Sequence, residues 1–143
     1  MARGVHVFSV MQVNEVMTPA PTVVRESTSV GEAWEMLRSL DVRHLPVVNE
    51  DRELVGILSD RDLREPPPPP LMTELLGVQP TPLEAPVATV MSASPISVDE
   101  EDDLDDVVDI MLENKIGAVP VVDPDGKVVG IVSYLDVLRT LHG

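Results

Sequence analysis

Apolar residues at Val30, Ala33, Trp34 and Leu37 recur at i, i+3, i+4 and i+7, the spacing of a helix that buries one face. Ser29, three residues before Glu32, has the placement of a capping box and sets the start of that helix. Ahead of it, the Pro-punctuated stretch Ala20 to Val24 reads as extended chain. Behind it, His44 to Val48 and Leu54 to Leu58 read as strands separated by a polar turn, residues 49–53. These strands are nearly continuous Val, Leu and Ile, as expected when both faces are covered. A further helix begins at Ser59, so the order is β-α-β-β-α.

The pattern then repeats. Leu104, Val107, Val108 and Met111 form a second stripe of the same period, with Asp103 and Asp106 in the capping positions. Ala118 to Val122 and Val128 to Val132 form a second strand pair, and Pro124 and Gly126 favour a tight reversal between them. Another helix opens at Ser133. A shift of 74 residues lays Val13–Arg64 onto Val87–Leu138 without a gap, with 15 of 52 positions identical. The shared islands are VNEVMT with VATVMS, LPVV with VPVV, and LVGILSDRD with VVGIVSYLD. A fixed internal period marks a duplicated unit.

This organisation gives an N-terminal segment 1–12, expected as an edge strand, a first repeat 13–64, a linker 65–86, and a second repeat 87–143 with a C-terminal helix. Pro66 to Pro70 stops the helix begun at Ser59 by about Glu65. The proline run reads as a semi-rigid spacer between two halves that must pack, in preference to a ligand for aromatic-lined grooves. The segment LMTELLG is expected to form a short helix of its own.

At 143 residues the chain can bury a sizeable core. That core must be aliphatic, because Phe8, Trp34 and Tyr134 are the only aromatic residues, and the seven methionines serve as filler. A net charge of -15 argues against nucleic acid and anionic membrane surfaces, both of which need a basic face. With no cysteine, disulfides, thiol nucleophiles and cysteine metal sites are excluded, which is compatible with a reducing cytoplasm, and because MARGVHVFSV lacks the h-region and cleavage site of a signal peptide the protein is expected to be cytoplasmic. His6, His44 and His142 are scattered, so neither a metal triad nor Ser-His-Asp catalysis is supported, and no enzyme is expected. The acidic run Asp99 to Asp109 straddles the amphipathic helix without regular oxygen-ligand spacing and reads as a solvated face.

The candidate chemistry lies in GILSDRD, Gly56 to Asp62, and its echo GIVSYLD, Gly130 to Asp136. In each, a strand runs into a Ser followed three residues later by an Asp. That spacing suits a capping box, in which the Asp returns a hydrogen bond to its own helix start. Spacing alone favours the cap; the same junction also suits a binding site, with a carboxylate and the free N–H groups of a helix end together.

With the VMT and VMS openings and the HLPVV and AVPVV strands, this doubled signature resembles the tandem CBS-domain pair, or Bateman module. The resemblance covers essentially the whole chain outside linker and termini. It implies an α+β (α/β) fold in which two β-α-β-β-α repeats pack about a pseudo-twofold axis as one compact module. It also implies a regulatory, non-catalytic role, pairing into a homodimer, and no required cofactor. The implied regulatory ligand is adenosine-containing, AMP, ADP, ATP or S-adenosylmethionine, held between the repeats, with a separate protein as the regulated target. A constitutive dimerisation or scaffold unit is the alternative.

Carried over residue by residue, the resemblance nominates Asp62 for the ribose, Ser59 for the phosphate and the backbone of Leu45 and Pro46 for the base. In the second repeat it nominates Asp136, Ser133, Val119 and Pro120. Pro21, Thr22 and Val23, and likewise Pro95, Ile96 and Ser97, would wall the two pockets. Arg61 can reach a phosphate and His44 sits at the pocket edge. The first repeat carries ten acids and six arginines, the second twelve acids and two lysines, so the Asp62 side is expected to suit an anionic ligand better.

Overall fold

In a computed structural model, which describes residues 11–63, 70–77 and 82–142, the periodic stripes form helices and the aliphatic runs form two four-stranded sheets. Helix α1, Val30–Leu40, starts where the Ser29 side chain accepts a hydrogen bond from the Glu32 N–H, and it buries Val30, Ala33 and Leu37. Helix α4, Leu104–Asn114, is its twin and buries Leu104, Val107 and Met111. Here the expected cap is not formed: Asp103 occupies the N-cap position but its side chain makes no capping bond. The Asp106 N–H bonds instead to the Asp103 backbone carbonyl at 3.1 Å, and the Leu104 N–H to the carbonyl of Met11 at 2.9 Å, as the Val30 N–H bonds to Ala85 in the first repeat. Both helices end in a left-handed residue, Asp41 and Lys115.

The strand pairs fall close to their expected positions, with β3 at His44–Val48 and β4 at Leu54–Ser59, then β7 at Ala118–Val122 and β8 at Val128–Ser133. Each pair is antiparallel, and in register Pro46 faces Ile57 as Pro120 faces Ile131. The extended opening of each repeat is not one strand. It divides into β1, Thr18–Pro19, and β2, Val24–Arg25, and in the second repeat into β5, Ser92–Ala93, and β6, Val98–Asp99. Short helices follow: α2 at Asp60–Leu63, α3 at Pro70–Leu76 in the linker, and α5 at Tyr134–His142. A 3₁₀ turn opens each repeat, at Val13–Glu15 and Val87–Thr89.

The sheets show that the repeats are not separate units. One sheet runs β1-β8-β7-β6 and the other β2-β3-β4-β5. Each repeat therefore lends its first strand to the other: β1 pairs with β8, and β5 with β4. The cores follow the same exchange. Val13, from the start of the chain, is buried with Val98, Leu104, Val119 and Val132, whereas Val87 is buried with Val24, Leu37, Leu45 and Leu58. Backbone bonds seal both seams, from Val13 N–H to Asp102 O at 2.9 Å and from Val87 N–H to Thr28 O at 2.8 Å.

The exchange explains the glycine of each signature. A Cβ on Gly130 would collide with the Met17 thioether and lie 3.2 Å from the Thr18 carbonyl oxygen. A Cβ on Gly56 would meet Met91 and the Ser92 carbonyl in the same way. Only a residue without a side chain lets the borrowed methionine lie flat on the strand. The expected N-terminal edge strand and the Pro66 to Pro69 run lie outside the described residues, apart from Met11 and Gln12, the latter bridged to Asp103. The end of the linker is anchored, because Val30 and Gly31 donate to the carbonyls of Ala85 and Leu83. No helix among the described residues is long and apolar enough to cross a membrane.

Candidate functional site

Each Ser-x-x-Asp junction is built by a strand that ends on the Ser and a helix that begins immediately after it. At the first junction the Ser59 N–H donates to Asp62 Oδ2 at 2.9 Å, and the Asp62 N–H donates to Ser59 Oγ at 3.1 Å. At the second, the Ser133 N–H and Oγ donate to Asp136 Oδ2 at 2.8 and 3.0 Å, and the Asp136 N–H returns a longer bond to Ser133 Oγ at 3.4 Å. Both junctions are thus capping boxes in the folded chain. This use of one carboxylate oxygen does not exhaust the group, since a carboxylate has about four lone-pair positions.

The two junctions differ in what else they meet. Because β1 lies on β8, the Thr18 hydroxyl reaches across from the first repeat and donates to Asp136 Oδ1 at 3.1 Å. Arg139, one turn further along α5, places its guanidinium 3.7 Å from the same oxygen. A cleft of about 410 Å³ opens beside this cluster, lined by residues 15–19 of the first repeat and by Asp136, Arg139 and Thr140 of the second. Asp136 is only 7% exposed at its floor. Thr18, Arg139 and Glu15 were not singled out by the sequence. Arg139 stands three residues after Asp136, a helical-turn spacing that could have found it. Thr18 lies 118 residues away, and nothing short of the strand exchange connects it.

At the first junction His44 lies opposite Ser59 in the β3–β4 register. Burial lowers its pKa below 6.5 and Arg43 adds to that, while the carboxylates of Asp60 and Asp62 oppose it. A Cβ placed on Gly117 would lie 3.4 Å from both His44 Cε1 and the Tyr134 ring at the start of α5, so His44 lies beside the second repeat. Arg61 is exposed on α2. Leu45, Pro46, Val119 and Pro120 are buried, with the Leu45 and Val119 side chains in the two cores, which leaves their backbone for any ligand. Pro21, Thr22 and Val23 form the crossing from β1, on the β8 sheet, to β2, on the β3 sheet. Ile96 and Ser97, both exposed, occupy the matching crossing from β5 to β6.

Chemically, each junction offers a carboxylate that can accept hydroxyl donors, and the second adds a guanidinium within reach of an anion. The acidic run shapes its own turn, with Asp102 Oδ2 accepting from the Asp99 N–H at 2.9 Å. Among the described residues no three His, Asp or Glu side chains gather where they could hold a metal ion.

The family model described as CBS domain matches the chain twice, at residues 13–66 and 87–143. Among characterised relatives, the chloroplastic CBS domain-containing protein CBSX2 of Arabidopsis thaliana is 33% identical over 147 residues, covering 89% of this chain and 62% of that protein. Inosine-5'-monophosphate dehydrogenase of Aquifex aeolicus is 31% identical over 120 residues, covering 83% of this chain and 22% of the enzyme. The chain thus spans less than two thirds of either relative. Among solved structures, CBSX2 in complex with AMP superposes with a TM-score of 0.75 at 34% identity, covering 92% of this chain and 96% of that one. The CBS domain pair of protein MJ0100, in complex with 5'-methylthioadenosine and S-adenosyl-L-methionine, gives a TM-score of 0.76 at 27% identity, covering 93% and 97%.

Proposed function

The chain belongs to the CBS-domain family as a tandem pair, and from that premise we propose that it is a cytoplasmic, non-catalytic sensing module for an adenosine-containing ligand such as AMP, ADP, ATP or S-adenosylmethionine. The ligand enters between the repeats, and its binding alters association with a partner protein. One observation carries this reading: a carboxylate stands at each strand–helix junction, and at Asp136 it floors a cleft whose walls come from both repeats. An ionised carboxylate can accept both hydroxyls of a ribose cis-diol, and Arg139 or Arg61 can meet a phosphate. Because the strand leading into each junction pairs with the opening strand of the other repeat, a ligand seated there lies against both halves and stiffens their packing. The two similar structures solved with AMP and with adenosyl compounds support the choice of ligand class.

A second reading has an observation of its own. Both Asp side chains already serve as caps, and α5 exposes Tyr134, Leu135, Leu138 and Leu141 along its length. On that reading the chain is a constitutive homodimerisation or scaffold unit. Thermal unfolding with AMP, ADP, ATP and S-adenosylmethionine separates the two. A ligand at a hundred times its Kd stabilises the fold by about 2.7 kcal/mol, and Asp62→Ala should remove most of that shift. Unfolding curves that none of the four compounds moves would leave the scaffold reading standing alone.

A further inference from the structure

The second carboxylate is the more heavily engaged. Asp136 Oδ2 accepts from the Ser133 N–H and Oγ, and Oδ1 accepts from the Thr18 hydroxyl, so three of the roughly four lone-pair positions are engaged, with the Arg139 guanidinium 3.7 Å from Oδ1 as an ion pair. Asp62 is not in that state. Its Oδ2 accepts from the Ser59 N–H, and among the described residues Oδ1 has no hydrogen-bond partner. The residue matching Thr18 is Ser92, and among the described residues Ser92 makes no bond to Asp62. The residue matching Arg139 is Glu65, of opposite charge. Both hydroxyls of a diol can therefore join Asp62 without breaking a bond made by the described residues, whereas at Asp136 about one acceptor position is left and the second hydroxyl must displace a donor. Arg139 is the weaker obstacle, since its side chain is 74% exposed and 3.7 Å away. Thr18 is the stronger, because its hydroxyl, although on an exposed residue, makes a direct charge-assisted bond at 3.1 Å to a carboxylate that is only 7% exposed.

We propose that the Thr18 hydroxyl is an internal latch that occupies the Asp136 acceptor until a ligand hydroxyl replaces it, which makes the two sites unequal and couples the second to strand β1. The proposal rests on the sensing reading given above. Asp62 fills first. Filling at Asp136 frees Thr18, and with it the side-chain tie that supports a strand only two residues long, paired to β8 through Thr18 opposite Ile131 and Pro19 opposite Gly130. Because β1 belongs to the first repeat and β8 to the second, the second binding event loosens the exchange between halves that the first leaves intact. The latch thus gives the module a graded response, with ordinary occupancy at low ligand and a change in inter-repeat packing at high ligand.

The test is isothermal titration of the full chain with AMP, repeated on Thr18→Val, which keeps the shape and removes the hydroxyl, and on Thr18→Ser, which restores it. Asp62→Ala identifies the tighter step by removing it. Thr18→Val should strengthen the weaker step about tenfold, the worth of one hydrogen bond to a charged acceptor, or bring into range a second step not seen in the parent. Thr18→Ser should match the parent. Amide exchange on the parent protein gives an independent readout, since β1 should exchange faster once the weaker step is saturated. Two equal steps in the parent, or a weaker step that Thr18→Val leaves unchanged or weakens, overturns the latch while the sensing reading stands. Absence of binding to the parent and every variant overturns both.

Discussion

Replacing Gly130 with alanine would put a methyl group where the Met17 thioether lies, 3.0 Å from Met17 Cγ and 3.2 Å from the Thr18 carbonyl oxygen. The thioether can swing away, but the backbone oxygen can move only with β1, so the substitution forces side chain and strand together. Overpacking of that kind costs about 1–3 kcal/mol. Met17→Ala removes a partly buried side chain from the second core and costs about 1–2 kcal/mol, at or below the low end for methionine because burial is incomplete. In the double variant the new methyl takes up space the thioether has left, so the total should fall short of the sum by about 1–2 kcal/mol. Urea unfolding of the four proteins measures that coupling. A control pair, Gly130→Ala with Met91→Ala, sits on opposite sheets and should be additive to within about 0.5 kcal/mol. Additivity in the Gly130–Met17 pair, or coupling of equal size in the control pair, would refute the exchange of opening strands.

Two further outcomes follow from particular residues. Arg52 holds φ at +66°, where its counterpart Gly126 holds +82°, so Arg52→Gly should raise stability by up to about 1 kcal/mol in urea unfolding with no change in slope; a loss would contradict the strain. The folded chain favours neutral His44, because burial lowers its pKa below 6.5. Its stabilising contribution is therefore complete above pH 6.5 and is lost as the pH falls through the lower folded value. Melting temperatures of the parent and His44→Gln between pH 7.5 and 5 should converge on acidification; a gap that widens would show that Asp60 and Asp62 outweigh desolvation.

Much of this architecture was legible as repetition. The 74-residue period predicts equivalence between halves, and the backbone honours it where no letter matches: Ala20 with Ser94, Asp41 with Lys115 and Arg52 with Gly126 all share a positive φ. The partner of each opening strand was not legible, for a physical reason. VMT and VMS offer nearly the same surface to nearly the same glycine-bearing strand, so pairing within a repeat and pairing across repeats satisfy the sequence pattern equally. Connectivity and space decide between them. The site inherits that blindness: Asp136 and Ser133 could be named from spacing, but Thr18 could not. Asp103 does not cap with its side chain because the Asp106 N–H, the donor a cap would take, bonds to the Asp103 backbone carbonyl at 3.1 Å.

A half-chain of this design would carry an opening segment with no strand of its own to rest on and a Gly-bearing strand with no methionine to cover it. The simplest way to complete both is a second half-chain, which describes a swapped pair of identical subunits as the arrangement from which a duplicated gene could be fused. In the fused chain, residues 65–86 replace encounter in solution with a tether, so assembly no longer depends on dilution and each opening segment always finds the right acceptor. Fusion also frees the halves to diverge, and the difference between Asp136, bonded to Thr18 from the other half, and Asp62, with no such bond among the described residues, is the kind of asymmetry that two identical subunits could never have encoded.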